Sequence, residues 1–311
     1  MAVAQPHWSR QLIFTLAGNP AVTRFVTHYG MRLGASRFVA GEDLDAALAV
    51  ARRLNQEGFP LAIQFLGEHV TRPEAAEAAV EEYLRLLAAL EERGIDAYLS
   101  IKPSQMGLAV DEELAYANCR RILERTATVG RFVRIEMEDS PYTERTLRLY
   151  RRLRQRFDTG HVGIVLQAYL YRSAQDLEAL ADLEPNIRFV KGAYNEPASV
   201  AYPNKADVDR NYRQLVQRHL ERGHYAAIAT HDDRLIEDLL AFIERRGIPR
   251  DRFEFQMLYG IRPQLQRAMR DRGYTMRVYV PYGREWYGYF VRRLAERPAN
   301  VGFVLRNLLR G

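Results

Sequence analysis

Eight short runs rich in β-branched and aromatic residues, at 61–66, 97–101, 132–137, 162–168, 187–190, 225–230, 253–258 and 276–280, alternate with longer amphipathic stretches. The segments between them, among them 73–93, 111–125, 143–156, 207–222 and 233–246, carry apolar residues at i, i+3 and i+4 spacing. Strand and helix in alternation imply parallel pairing, and eight such units close an α/β barrel of the TIM type, (βα)8. A length of 311 residues leaves room for a short N-terminal helical arm, residues 1–58, ahead of a barrel over 59–311. Gly41-Glu42-Asp43 caps the last helix of the arm, and 300–310 reads as a terminal helix. No internal repeat or linker interrupts the pattern.

Composition narrows the function. No run of about 18 apolar residues marks a membrane span, residues 1–10 lack the regions of a signal peptide, and one cysteine excludes an internal disulfide. A cytoplasmic setting is expected. Cys119, on an amphipathic stretch without a suitably spaced histidine, reads as a structural thiol. The net charge of +6 could suggest nucleic acid, but Arg and Glu alternate along the helices rather than cluster. A solvated surface that favours acidic membranes, with no nucleic-acid partner, is the expectation.

The segment Arg188-Phe189-Val190-Lys191-Gly192-Ala193-Tyr194 places two cations in a strand that otherwise reads as buried. Burial of unpaired charge is costly, so both should point at something anionic, and Gly192 would let backbone approach a bulky ligand. A phosphate-bearing cofactor is one reading. A background bias towards arginine is the other, since only Lys102, Lys191 and Lys205 stand among 45 basic residues.

Barrel active sites lie at the C-terminal strand ends, which here are polar: Leu66-Gly67-Glu68-His69, Ile101-Lys102-Pro103-Ser104-Gln105, Glu136-Met137-Glu138-Asp139, Gln167, Ala229-Thr230-His231-Asp232, Gln256-Met257-Leu258-Tyr259-Gly260 and Tyr279-Val280-Pro281-Tyr282-Gly283. Beyond strand eight, Tyr289, Arg292, Arg293 and Glu296 fall at i, i+3, i+4 and i+7 and share one helix face. That face is either ordinary solvated surface or, because the helix starts about four residues past Tyr282, a lid over the barrel rim. Over the rim, two adjacent arginines make a fork suited to a carboxylate.

These motifs resemble the proline dehydrogenase family, in its short bacterial monofunctional form. The resemblance rests on Ile101-Lys102-Pro103-Ser104, Arg188 through Tyr194, Ala229-Thr230-His231, Glu254-Phe255-Gln256, Tyr279 through Gly283, and Tyr289 through Glu296. It implies an FAD-dependent oxidation of L-proline to Δ1-pyrroline-5-carboxylate, with electrons passed to a membrane quinone. It also implies roles. Arg292, Arg293 and Lys102 would hold the proline carboxylate, and Leu258, Tyr279 and Tyr289 would wall the ring. Arg188 and Gln167 would hydrogen-bond the isoalloxazine, with Met137 at the same site. Lys191, Gly192 and Ala193 would take the phosphates, and Thr230 and His231 the cofactor's other half. His231 also has a structural reading, as a cap to the next helix. Glu296 would touch the ribose or orient Arg293.

Glu136 departs from the family pattern, which has Asp there; the extra methylene shifts the carboxylate by roughly 1.5 Å. Glu136 is nonetheless the expected catalytic partner of Arg188. Glu68 resembles an acidic residue that closes an ion-pair gate on the first arginine of the fork. A Schiff-base lyase using Lys102 or Lys191 is the rival reading, and a nonspecific nucleic-acid binder is a second.

Overall fold

The computed structural model describes residue 15 and residues 17–296. Strands β1 (Leu61–Phe65), β2 (Ala97–Ile101), β3 (Val133–Ile135), β4 (Val162–Gln167), β5 (Ile187–Val190), β6 (Ala226–Ala229), β7 (Phe253–Leu258) and β8 (Met276–Tyr282) are all parallel, and β8 pairs back onto β1 to close the barrel. The eight expected runs are the eight strands. Helices α1 (Pro20–Leu33) and α2 (Leu44–Gln56) precede β1; α3 (Pro73–Glu92), α4 (Glu112–Ala127), α5 (Ser140–Arg154), α6 (Ser173–Ala179), α7 (Lys205–Glu221), α8 (Asp233–Arg246) and α9 (Pro263–Asp271) connect the strands, and α10 (Trp286–Glu296) follows β8. The terminal helix expected at 300–310 lies outside the described residues.

Local chemistry sets the helix starts. The carboxylates of Asp43 and Asp111 accept the N–H groups of Ala46 and Leu114, each at 2.9 Å, and Pro73 and Pro263 open α3 and α9 where no donor is needed. Helix α2 buries Ala47, Leu48, Ala51 and Leu54 and packs on β8 and β1. It therefore fills the outer slot that a helix following β8 would take. The expected boundary at residue 58 separates α2 from the wall it completes. Helix α10 turns instead over the C-terminal mouth, where Trp286 and Phe290 pack with Phe38, Leu66 and Ile261 in a second apolar cluster.

The barrel interior is polar at its base. Glu254 and Arg277 form a double ion pair with both oxygens 3.0 Å from Nε, and the Arg277 guanidinium lies 4.6 Å from the Tyr98 ring. Burial pushes the Glu254 carboxyl up, but Arg277 outweighs it and holds the group ionised. Arg134 donates to the Asn186 backbone and side-chain oxygens at 2.6 Å each. Gly163 makes room for it, since a Cβ there would lie 2.3 Å from Arg134 Nη1.

Outside, the arginines pair across helix gaps. Arg93–Asp45 joins α3 to α2, Arg121–Glu77 joins α4 to α3, and Arg148–Glu112 joins α5 to α4. Arg172–Glu144, Arg222–Glu178, Arg213–Asp238, Arg262–Asp233 and Arg267–Glu57 carry the belt through α6, α7, α8 and α9 back to α2. The arginine excess thus serves a ring of inter-helix pairs, which favours the solvated-surface reading over nucleic acid.

Exposed pairs of this kind are individually weak, so the belt should act only collectively. Replacing Arg121, Arg148 and Arg213 together by Gln should lower the melting temperature by about 2 to 4 °C at low salt. The gap from wild type should narrow in 1 M NaCl, where screening acts within about 3 Å. Equal gaps at both salt concentrations in a thermal scan would refute an electrostatic origin.

Candidate active site

One cavity of about 360 Å³ opens at the C-terminal strand ends, lined by Lys102, Glu136, Met137, Gln167, Arg188, Lys191, Gly192, Ala193, Thr230, His231, Leu258, Tyr279, Tyr289, Arg292 and Arg293. These are the residues singled out from sequence, with two exceptions. Glu68 sits behind the lining, and the Glu296 side chain lies outside the described residues. The barrel is what unites them, because each comes from a strand end or from α10, and α10 crosses the mouth.

On the α10 side, one acid ties two cations together. Glu68 accepts from Lys102 Nζ at 2.6 Å and from Arg292 Nη1 at 2.8 Å. Burial pushes the Glu68 carboxyl up, but Lys102 and Arg292 together outweigh it and hold it down at about 2. Arg292 and Arg293 each lie over a tyrosine ring, Tyr194 at 5.2 Å and Tyr289 at 5.0 Å. Arg292 and Glu68 are the pair expected of the gate, and Lys102 shares the same carboxylate.

Across the cavity, Arg188 pairs with Glu136, both buried. Glu136 also accepts from Ser100 Oγ and, at 3.2 Å, from Tyr279 OH. Burial pushes the Arg188 guanidinium down and the Glu136 charge pushes it further up, so it stays a firm cation. Only Nη2 is engaged: Nε and Nη1 are buried and have no hydrogen-bond partner. Two orphaned donors on a cavity wall are costly unless something accepts from them.

The other strand cation is compensated within the protein. Lys191 Nζ lies 2.6 Å from Asp209 and 2.8 Å from Asp232, with Lys205 sharing both carboxylates. Burial raises the Asp232 carboxyl, and the two lysines overcome that and depress it strongly. The burial argument therefore does not by itself require a phosphate at Lys191. Gly192 is likewise demanded by its own fold, with φ of 115° and a notional Cβ only 2.2 Å from the Tyr169 ring. His231 Nε2 accepts the Leu258 backbone N–H at 3.0 Å, so its structural bond runs to β7 rather than capping α8. Gln167 donates to the Glu138 backbone oxygen at 2.6 Å.

Tyr194, Asp209, Asp232, Lys205 and Ser100 belong to the site but were given no role from sequence. Asp232 and Tyr194 lie inside strand-end motifs of the sequence. Asp209 is one acid on an amphipathic helix, with nothing local to distinguish it.

The sequence profile of the family described as "Proline dehydrogenase" matches residues 47–306. Among curated relatives, proline dehydrogenase of Deinococcus radiodurans is 45% identical over 305 residues, 97% of this chain and 98% of that protein. Proline dehydrogenase 1 of Bacillus subtilis is 44% identical over 301 residues, 97% and 99%. Among solved structures, proline utilization A from Bdellovibrio bacteriovorus, inactivated by N-propargylglycine, superposes with a TM-score of 0.77 at 25% identity; the match covers 88% of this chain but 33% of that one.

The depressed Glu68 carboxyl gives a pH prediction. A fall from 4.5 to about 2 is worth on the order of 3 kcal/mol. Because the folded value is lowered, this stability is present above pH 4.5 and lost as pH falls towards 2. Urea unfolding of Glu68→Gln should show the deficit in full at pH 6 and little of it near pH 2.5; a deficit independent of pH would rule out the ion-pair origin.

Proposed function

Because the chain belongs to the proline dehydrogenase family, oxidoreductases acting on proline, we propose that it binds FAD and oxidises L-proline to Δ1-pyrroline-5-carboxylate, the first step of degradation to glutamate. The single observation carrying the reading is that a fork of cations and an under-satisfied buried arginine face each other across one cavity. When bound, FAD supplies the hydride acceptor, N5 of its ring, and the electrons then pass to a membrane quinone. No described helix is long and apolar enough to cross a membrane, so that encounter would be peripheral.

The residues suit the cofactor in a specific way. An isoalloxazine edge offers acceptors that gain negative charge on reduction, and Arg188 has two donors free to meet them. Gln167 and Met137 would adjoin the same ring. Lys191, with the Gly192 and Ala193 backbone, would serve the phosphates by sharing its charge with them instead of with Asp209 and Asp232. Thr230 and His231 would border the remaining half, and Glu296 would touch the ribose or orient Arg293.

On the substrate side, Arg292, Arg293 and Lys102 would take the carboxylate. Glu68 would give up part of its hold on Arg292 as that carboxylate enters, acting as a gate. Tyr279, Tyr289 and Leu258 would exclude water and fix C5 against the flavin. Glu136 would hold Arg188 and Tyr279 in place. The Schiff-base alternative is disfavoured because both candidate nitrogens are already engaged by carboxylates, Lys102 by Glu68 and Lys191 by two aspartates, which leaves neither aimed at a carbonyl carbon. A bound flavin spectrum that proline bleaches without oxygen tests the whole reading, and its absence would defeat it.

Three variants probe the two halves. Arg292→Met or Arg293→Met should weaken proline binding by about 2 to 5 kcal/mol while retaining flavin, and tetrahydrofuran-2-carboxylate should compete poorly in both. Near-normal affinity in both would sink the carboxylate assignment. Arg188→Met should lower the flavin reduction potential, because the reduced ring loses its nearest cation. A redox titration with an unshifted potential would leave Arg188 as a partner of Glu136 alone.

A further inference from the structure

We propose that Ser104 and Glu138 are positioning residues that set the cation cluster for the substrate carboxylate, a role resting on the assignment of Lys102 and Arg292 above. Glu138 is wholly buried just beyond β3. Its two oxygens take two bonds from one residue: Oε2 accepts the Ser104 backbone N–H at 2.8 Å, and Oε1 accepts the Ser104 hydroxyl at 2.6 Å. The hydroxyl oxygen accepts in turn, from the His69 backbone N–H at 2.8 Å.

The chain positions give these bonds their meaning. Ser104 stands two residues past Lys102, and His69 directly follows Glu68. One buried carboxylate therefore fixes the loop that presents Lys102 and, through a single hydroxyl, the loop that presents Glu68. His69 has a left-handed backbone, φ 54°, which a residue with a bulky side chain adopts at a cost, so its N–H bond helps to hold a strained turn. The two loops meet again where Lys102 and Glu68 pair at 2.6 Å, and Arg292 closes the far edge at 2.8 Å. Neither Ser104 nor Glu138 lines the cavity, and the pair acts through what it places. Gln167, which does line it, is bound to the Glu138 backbone at 2.6 Å, which ties β4 to the same post.

Removing the hydroxyl frees the Glu68 loop while sparing every cavity side chain. In the flavin-loaded enzyme, Ser104→Ala should raise the proline KM on the order of tenfold with kcat within about twofold, since displacement of a binding group by up to an ångström can cost as much as a hundredfold. Calorimetric affinity for tetrahydrofuran-2-carboxylate should fall by the same factor. In a Lys102→Met background, Ser104→Ala should add little, because both changes act on one cluster. Glu138→Gln should behave like Ser104→Ala and serves if that variant fails to fold. An unchanged KM in both variants, or an equal loss with and without Lys102, would overturn the positioning role. If Lys102→Met alone leaves proline and inhibitor binding intact, the carboxylate assignment itself falls, and the positioning role with it.

Discussion

Much of this structure depends on where α2 packs. A parallel barrel of eight strands needs its outer face covered, and between β8 and β1 the cover comes from before the barrel in sequence, not after it. With that slot filled, α10 has no apolar wall to return to. Three residues separate Tyr282 from Trp286, too few to carry it away from the rim, so it lies across the mouth and brings Arg292 and Arg293 over the cavity. The Phe38, Trp286 and Phe290 cluster then anchors the lid to the N-terminal segment. A polar face that would otherwise be solvated becomes one wall of a site.

Charge compensation decides the rest. Four cations at the mouth meet carboxylates of the protein: Arg188 meets Glu136, Lys102 and Arg292 meet Glu68, and Lys191 meets Asp209 and Asp232. The Arg188 and Lys191 sides are thus compensated within the protein, whereas on the α10 side Lys102, Arg292 and Arg293 outnumber the one carboxylate, Glu68, and leave a positive excess. Such pairing avoids the cost of isolated buried charge and keeps its donors aimed before anything binds. Arg188 is the exception in degree, with one nitrogen engaged and two buried without partners.

The strands were legible because each is a short apolar run between turn residues, and all eight fall where the pattern puts them. Strand three is shorter than its run, as Glu136 and Met137 have turned into the mouth. Helix α5 starts three residues before its apolar periodicity does, because Glu196, from the segment after β5, accepts both the N–H and the hydroxyl of Ser140. That cap is 56 residues away in sequence and has no local signature. The same holds for Asp209 on Lys191 and for Tyr169 against Gly192: the demand was visible, the partner was not. Strand-end position and the spacing on α10 sufficed to name the lining, whereas the reasons those side chains are held came from contacts between distant segments.

Glu136 shows how such contacts can turn a departure into a fit. The resemblance expects a shorter acid there, and one methylene could have cost the site its alignment. In this chain the longer carboxylate receives Ser100 from the adjacent β2 and, across the barrel, Tyr279 from β8 and Arg188 from β5, so it ties together three strands besides its own. Each donor restricts the others: Tyr279 stacks at 5.0 Å from the Arg188 guanidinium while bonding the acid that holds that guanidinium. A side chain one bond shorter would have to surrender one of the three or draw the strands inward, and a barrel closed by its own hydrogen bonds resists the second. The glutamate is therefore matched to the partners this barrel presents, and its position follows from them rather than from the family pattern.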